Sequence, residues 1–367
     1  MNGLHRLLSK DLPRSRWLTA AMLVVLLGLA LEPFVFSGAK ALGVAAKMLV
    51  FILLVASYDL LLGYTGIVSF AHTMFFGIGA YGVAISATRL GGEDGVGFGA
   101  VLIGLGAALC VSALLSLVIG LFSLRVKAIF YAMITLAVAS AFQTLASQLS
   151  DFTGGEDGLS FKVPPWLSPS YEPFDTPFLG LMIDGKIISY YLLFSVVLLA
   201  VLALLRIVNS PFGRVLQAIR ENDFRAEALG YRTVVYRTLS NMISAAGATV
   251  AGALLALWLR YTGPDTTLSF EIMLDILLIV VIGGMGTIYG AVIGSVLFVL
   301  AQNYLQDLLK LAGGEDGVLA QVPLLGTLFS PDRWLLWLGV LFVLAVYHFP
   351  SGVVGRLRAA VSRASES

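Results

Sequence analysis

The sequence predicts an all-α polytopic membrane protein with about ten transmembrane helices, some of them short or broken. The first observation is composition: 58% of the 367 residues are hydrophobic and 12% are charged, whereas about 25% of the residues in a soluble domain are charged. The second is length, because several apolar runs reach the roughly 20 residues that span a bilayer. The third is a long polar interval at 209–237, which separates two sets of apolar runs. The net charge of +1 gives no sign of a nucleic-acid partner.

Ten apolar segments follow one another along the chain. They lie at 17–36, 44–62, 67–88, 99–123, 127–149, 188–208, 238–258, 268–283, 287–309 and 333–349. The first is interpreted as a spanning helix rather than a cleavable signal peptide, because it leads to Glu32-Pro33 instead of a small-residue cleavage site. The eighth is short and ends at a run of glycines.

The distribution of Lys and Arg predicts which side of the membrane each connection occupies. An even number of spans puts both chain ends on one side, and 15 of the 23 basic residues then fall on that side. The sequence therefore predicts cytoplasmic tails at 1–16 and 350–367 around a transmembrane domain at 17–349. Within that domain, 150–187 is predicted to be an external loop and 209–237 to be cytoplasmic.

The predicted outer face carries a repeated pentapeptide, GGEDG, at 91–95, 154–158 and 313–317. Gly-Gly and Asp-Gly steps favour chain reversal, so the repeat indicates turns; contact with an extracellular partner is the alternative. The external loop at 150–187 is rich in proline, which predicts an ordered but non-helical cap. The lone Cys110 can form no disulfide within the chain and is assigned to packing.

The polar interval 209–237 predicts two short helices, Pro211–Glu221 and Asp223–Leu229. Ser210 is a good N-cap residue ahead of the first helix. Gly230 offers the left-handed conformation that commonly ends a helix. One interpretation is a solvated linker whose arginines extend into water. The other is a cytoplasmic element that docks on a partner protein.

Two glycine-rich steps interrupt apolar segments in the two halves of the chain, Gly63-Tyr64-Thr65-Gly66 and Gly283-Gly284-Met285-Gly286. Broken helices at membrane depth are tolerated only where they face protein or a water-filled cavity. Paired breaks indicate a transport path, and two tight cytoplasmic turns are the alternative. Gly286, Gly290 and Gly294 then follow at a spacing that lets another helix approach closely.

Four ionisable residues lie in or near predicted spans: Asp59, His72, Glu271 and Asp275. Charge inside a membrane is costly, so each is a candidate functional residue. For Asp59, Glu271 and Asp275 the alternative is contact with water at a helix end. For His72 the alternatives are a buried helix-to-helix hydrogen bond or a place on a transport path. A metal site is not predicted, because His72 has no cluster of further ligands beside it.

The sequence contains neither a GxxxxGK[ST] phosphate-binding loop nor a set of catalytic side chains in a soluble domain. We therefore predict a non-catalytic chain that binds no cofactor itself. Two functional classes remain, a membrane subunit driven by separate ATPase subunits and a stand-alone secondary transporter or channel. The two-helix interval favours the first, because a stand-alone pore needs no such platform.

Several motifs together resemble one known family. They are Leu62–Gly66 with Ser69, His72 and Phe75–Tyr81; Thr153–Leu159; Gly213-Arg214 with Ala218–Asn222, Ala226 and Ala228–Gly230; Gly283–Thr287 with Gly290 and Gly294; and Phe349–Gly352. This set resembles the LivM-type permeases, the membrane subunits of branched-chain amino acid ABC importers. The resemblance covers roughly residues 45 to 355.

The resemblance implies a permease subunit of an ATP-binding cassette importer in a bacterial inner membrane, whose permease domain forms half of the path for the solute. That solute would be a branched-chain amino acid or, in the same architecture, urea, an amide or an aromatic acid. The implied partners are a second, LivH-like permease, two ATP-binding subunits that carry ATP and Mg, a periplasmic solute-binding protein and membrane lipid.

The motifs also imply roles for individual residues. The expected ATPase-coupling residues are Arg214, Ala218, Arg220, Glu221, Asn222, Arg225, Ala226, Glu227, Ala228 and Gly230. The expected path residues are Tyr64, Thr65, Gly66, Ser69, His72, Gly283, Gly284 and Gly286, and the expected helix-packing residues are Gly286, Gly290 and Gly294. Small Ala226 and Ala228 are expected to let the second short helix sit in a groove of an ATPase subunit. The two glycine-rich steps are expected to face the second permease.

Overall fold

The computed structural model describes residues 16–35, 38–91, 96–123, 128–173, 182–313, 330–349 and 352–356. Most of each predicted tail lies outside the described residues. So do most of the GGEDG copies at 91–95 and 313–317, and part of the external loop.

The described chain is almost entirely helical. In chain order the helices are α1 (Arg16–Val35), α2 (Ala39–Thr65), α3 (His72–Leu90), α4 (Phe98–Ser123), α5 (Ala128–Gln148), α6 (Ser150–Thr153), α7 (Gly185–Val208), α8 (Pro211–Glu221), α9 (Asp223–Ala228), α10 (Thr233–Leu259), α11 (Pro264–Thr267), α12 (Phe270–Gly283), α13 (Ile288–Gly313) and α14 (Trp334–His348). Single 3-10 turns lie at Gly155–Asp157, Pro165–Leu167 and Pro331–Arg333. Two short strands, β1 (Leu159–Ser160) and β2 (Tyr261–Thr262), pair antiparallel.

The predicted all-α membrane fold is confirmed. Among the described residues, nine helical stretches are long and apolar enough to cross a membrane, and they correspond to nine of the ten predicted segments. The remaining segment, 67–88, corresponds to a helix that is not among these nine. Its helix, α3, begins only at His72 and is 19 residues long. Most of its side chains are buried, because α3 packs against α4 and α10.

The centre of the bundle consists of α2, α3 and α10. Almost every side chain of α2 is buried. The backbones of α3 and α10 touch, because a Cβ atom at Gly79 would overlap the backbone of Thr249, and one at Gly252 would overlap that of Phe76. Small residues permit this close packing of helices in a membrane, where apolar side chains gain little by leaving lipid.

The predicted external loop and the polar interval lie at opposite ends of the bundle. Helix α7, 24 residues long, separates them by about 36 Å at 1.5 Å per residue. Its first turn is capped by Asp184, whose side chain accepts from the backbone N–H of Ile187 at 2.9 Å, and only Asn209 and Ser210 separate its last residue from α8. The sidedness of these ends stays a prediction, but the two intervals are separated as that prediction requires.

The GGEDG copy at 154–158 forms a turn, as its glycines indicated. Gly154 and Gly158 have positive φ angles of 75° and 71°, a conformation that glycine adopts without strain. The hydroxyl of Tyr261 donates to the carbonyl of Asp157 at 3.0 Å and ties this turn to β2. The external loop was predicted to be non-helical; it contains the short α6 and two 3-10 turns, so that prediction was wrong in detail.

Candidate functional site

The polar interval folds as a hairpin of two helices, α8 and α9, as the capping residues predicted. The hydroxyl of Ser210 caps α8 by accepting from the backbone N–H of Gly213 at 3.5 Å. The side chain of Asn222 caps α9 by accepting from the backbone N–H of Arg225 at 2.9 Å. Gly230 follows α9 with a φ of 90°. Helix α8 has the predicted bounds, and α9 ends one residue earlier than predicted.

One face of the hairpin is buried and the other is free in this chain. Leu216 and Ile219 of α8 are fully buried beneath it. On the outer face, Phe224 is 82% exposed and Leu229 is 72% exposed. Sequence reasoning missed these two residues, although a large apolar side chain inside a charged interval outside the spans was a signal that could have identified them. We call the exposed set of Phe224, Arg225, Ala228 and Leu229 the hairpin face.

The predicted coupling residues divide between the two sides of the hairpin. Ala226 is only 2% exposed, so its predicted contact with a groove of a partner was wrong. Its side chain packs inside the chain because that side of α9 faces the bundle. The others are exposed: Arg214, Ala218, Arg220, Glu221, Asn222, Arg225, Glu227, Ala228 and Gly230. Glu227 also accepts from the hydroxyl of Thr233 at 2.7 Å, which fixes α9 to the start of α10.

Arg220 connects the hairpin to both glycine-rich steps. Its guanidinium donates to the backbone carbonyl of Gly63. The same side chain lies beside Gly66 and Gly286, where Cβ atoms would contact it. Gly63 and Gly286 are themselves adjacent, since a Cβ at Gly63 would overlap the backbone nitrogen of Gly286. The structure therefore brings together three motifs that are far apart in the sequence.

Asp59 joins the two steps from the inside. Its Oδ1 atom accepts from the backbone N–H of Gly286 at 2.8 Å, and the residue is 1% exposed. Its Oδ2 atom is buried and has no hydrogen-bond partner among the described residues. Contact with water at a helix end was one interpretation of Asp59; in the structure it is buried and holds the turn between α12 and α13 against α2.

The first glycine-rich step begins later than predicted. Gly63, Tyr64 and Thr65 are helical, and α2 ends at Thr65 with Gly66 as its C-cap, which has a φ of 73°. Gly63 does not end the helix, because glycine is tolerated inside a well-packed helix. The irregular stretch is 66–71 instead. The second step begins after Gly283, with φ angles of 113° at Gly284 and 81° at Gly286. Both turns lie at the end of the bundle next to α8. Whether they lie at membrane depth or form cytoplasmic turns stays a prediction.

The polar path residues of the first step are buried within this chain. Tyr64, Thr65, Ser69 and His72 are each 2% exposed or less. The Nε2 atom of His72 lies 3.0 Å from the hydroxyl of Ser57 and 3.1 Å from the carbonyl oxygen of Leu54. His72 thus makes the helix-to-helix contact that was one of its two sequence interpretations. A role on a path stays a prediction for these four residues.

We call the predicted helix-packing glycines, Gly286, Gly290 and Gly294, the glycine ridge, and two of them pack against a helix of the same chain. A Cβ at Gly290 would touch the carbonyl oxygens of Gly283 and Gly284, and one at Gly294 would touch that of Ile279. Helix α13 therefore approaches α12 closely at Gly290 and Gly294, as the spacing predicted. Gly286 precedes α13 and belongs to the turn, so its assignment to the ridge was wrong.

These features define a class of protein before any comparison. A bundle of apolar helices long enough to span a membrane, with an exposed hairpin that contacts two glycine turns at one end, is the architecture of a polytopic membrane protein. Among the described residues, no group of three His, Cys, Asp or Glu side chains could hold a metal ion.

Comparison with known sequences identifies the family. Residues 40–346 match the family described as the permease component of branched-chain amino acid transport systems, and the chain belongs to it. It is 28% identical over 287 residues to the high-affinity branched-chain amino acid transport system permease protein LivM of Salmonella typhimurium, covering 75% of this chain and 65% of that one. The LivM protein of Escherichia coli is 28% identical over 299 residues, covering 78% and 68%.

A third relative extends the comparison to another organism. The probable branched-chain amino acid transport permease protein LivM of Methanocaldococcus jannaschii is 25% identical over 305 residues, 79% of this chain and 80% of the relative. The chain spans about two thirds of the length of the first two relatives, at 65% and 68%. No solved structure matches the chain.

Proposed function

We propose that this chain is a permease subunit of an ATP-binding cassette importer in a bacterial inner membrane and forms half of the path for a branched-chain amino acid. The family and the names of the relatives support this solute. We further propose four partner chains: a second, LivH-like permease, two ATP-binding subunits and a periplasmic solute-binding protein. ATP and Mg would bind to the ATP-binding subunits, and this chain would bind no cofactor.

The observation that carries the proposal is the hairpin of α8 and α9. Its face exposes Phe224 and Leu229 at the end of the bundle, in a segment that is too polar to lie in lipid. Exposed apolar side chains rimmed by charge indicate a protein contact. The hairpin also contacts the interior of the bundle, because Arg220 of α8 donates to the carbonyl of Gly63. An ATP-binding subunit fits this position, since the chain has no phosphate-binding loop of its own.

Reconstitution tests the function directly. The chain would be co-expressed with a candidate LivH-like permease and candidate ATP-binding subunits, and the complex would be placed in proteoliposomes with the solute-binding protein outside. We expect ATP-dependent uptake of leucine, isoleucine or valine. Uptake of urea, an amide or an aromatic acid instead would contradict the solute, and uptake without ATP would contradict the class.

The hairpin face has a matched control within the chain. Leu229 is 72% exposed on the hairpin, and Leu311 is 77% exposed near the other end of the bundle. Burying a leucine side chain is worth about 1.5–3 kcal/mol, so Leu229→Ser should weaken the affinity for the ATP-binding subunits about tenfold or more. Leu311→Ser should leave that affinity unchanged. Equal affinities of the two variants would place the ATP-binding subunits elsewhere.

A further inference from the structure

A cavity of about 860 Å³ lies between α12, α13 and α14. This volume is within the roughly 300–1,000 Å³ of small-molecule sites. Its outer end is lined by Glu271, Asp275 and Gln302. Its walls are apolar and include Leu278, Phe298, Leu338 and Phe342.

The polar end of the cavity is assembled from three helices. Lys47 of α2 donates to the side-chain oxygen of Gln302 at 2.8 Å. The amide nitrogen of Gln302 lies 3.4 Å from Oδ2 of Asp275 and directs its N–H toward it. Glu271 stands one helical turn before Asp275 and is exposed at the outer end of α12. With two carboxylates and one ammonium, the group carries one excess negative formal charge.

A surface that contacted only lipid would not be expected to contain this group of charged side chains. Charged side chains inside a membrane face the bundle interior or a water-filled cavity, where they mark the paths of solutes. Helices α4 and α5 show what a fully apolar exposed surface of this chain contains. Helices α4 and α5 have no charged residue along their length, and they expose large apolar side chains such as Leu114 and Phe130.

The inner end of the cavity leads to the turns described above. Ile282, Phe349 and Val353 line it there. Gly352, next to Val353, packs on the backbone of Gly284, and a Cβ at Gly352 would overlap it. The cavity thus runs along α12 from the outer carboxylates to the turn that Asp59 holds.

We infer that this cavity is a binding site for the transported solute and that it recognises the ammonium group of an amino acid. Asp275 and Glu271 accept the ammonium at the outer end, and the apolar walls take an aliphatic side chain. A carboxylic acid without the amine meets only the excess negative charge and is rejected. The inference rests on the proposed function and adds to it a site within this subunit and the chemical group that the site selects.

A cysteine in the cavity wall tests the inference without measuring transport. Gly339 lines the cavity and has nothing within 4 Å of a Cβ position, so Gly339→Cys has room. Gly106 of the apolar α4 has the same open space, and Gly106→Cys is the control for a position outside the cavity, where both charged reagents should react slowly. Both changes are made on a Cys110→Ser background in the complete complex in nanodiscs.

The first readout is the charge preference of the labelling reaction. The Gly339→Cys thiol should favour trimethylammonium-ethyl methanethiosulfonate over the sulfonatoethyl reagent about tenfold more strongly than 2-mercaptoethanol does in solution, which is the excess expected from one nearby charge. Adding Asp275→Asn should bring the ratio close to that of 2-mercaptoethanol. Asp265→Asn, which removes an exposed carboxylate at the same end of the bundle, should not. A ratio that Asp275→Asn leaves unchanged would overturn the inference.

The second readout is protection by ligands. Leucine and 3-methylbutylamine should slow labelling of Gly339→Cys, and 4-methylpentanoate, which lacks the amine, should not. Equal protection by all three compounds, or protection by none in a complex that imports leucine, would overturn the inference and leave the proposed function intact. Protection by the two amines in a complex that imports no amino acid would support the site and refute the proposed function.

Discussion

Replacing Asp59 tests whether one buried hydrogen bond holds the two glycine turns together. Oδ1 of Asp59 accepts from the backbone N–H of Gly286 at 2.8 Å, across 227 residues of sequence. Asp59→Ala leaves that buried N–H without an acceptor, which costs about 1–3 kcal/mol. Asp59→Asn keeps one carbonyl oxygen for the N–H and removes the charge of the unpaired Oδ2 atom. We therefore expect Asp59→Asn to lie within about 1 kcal/mol of the parent.

The free energy of unfolding would be measured by titrating SDS into mixed micelles of the purified permease and following helix content by circular dichroism. The expected order of stability is parent and Asp59→Asn together, then Asp59→Ala. Asp265, an exposed carboxylate on α11, supplies the control pair. Its Ala and Asn variants should differ by less than about 0.5 kcal/mol, as is usual for surface substitutions. If Asp59→Ala is as stable as Asp59→Asn, the hydrogen bond does not hold the turn and the reasoning is refuted.

Three further predictions concern sidedness, coupling and the second turn. A cysteine introduced by Ser210→Cys on a Cys110→Ser background should react with impermeant thiol reagents only in inverted vesicles; labelling from outside intact cells would reverse the topology. Ala228→Trp on the hairpin face should leave insertion intact but lower solute-stimulated ATP hydrolysis of the complex, and unchanged hydrolysis would show that this face is not the contact. Gly284→Leu should abolish uptake while assembly persists. A φ of 113° costs a non-glycine residue about 1–3 kcal/mol, and Gly352 occupies the space beside Gly284. Normal uptake would show that the step is only a turn.

The parts of the fold that depend on local chemistry were predictable from the sequence. Helices α8 and α9 were predicted to within one residue, because Ser210, Pro211, Asn222 and Gly230 act on their immediate neighbours. The start of α3 was missed, because no such local signal marks it. Apolar composition continues through 67–71, so it gives no sign that the backbone there is irregular.

The candidate site was predictable only in its components. Glycine alone does not reveal whether it ends a helix or lets two helices touch: Gly63 is helical and adjoins Gly286, whereas Gly66 ends α2. The partners of Asp59 and Arg220 come from segments 157 or more residues away, which no local pattern encodes. Ala226 and Ala228 were given the same role, and only burial separates them, because they lie on opposite sides of α9.

The contacts at this end of the bundle also suggest how a partner's movement would reach the cavity. The turn at 284–287 is attached in two ways, through Asp59 within the bundle and through Arg220, which lies against both Gly63 and Gly286. Only the second attachment depends on the hairpin, so displacement of α8 would remove it and leave the first. Gly352 packs on this turn at Gly284, and its neighbour Val353 lines the inner end of the cavity. A shift of α8 would therefore act first on the inner end of the cavity, while Asp275 at the outer end, which Gln302 and through it Lys47 hold, would keep its position.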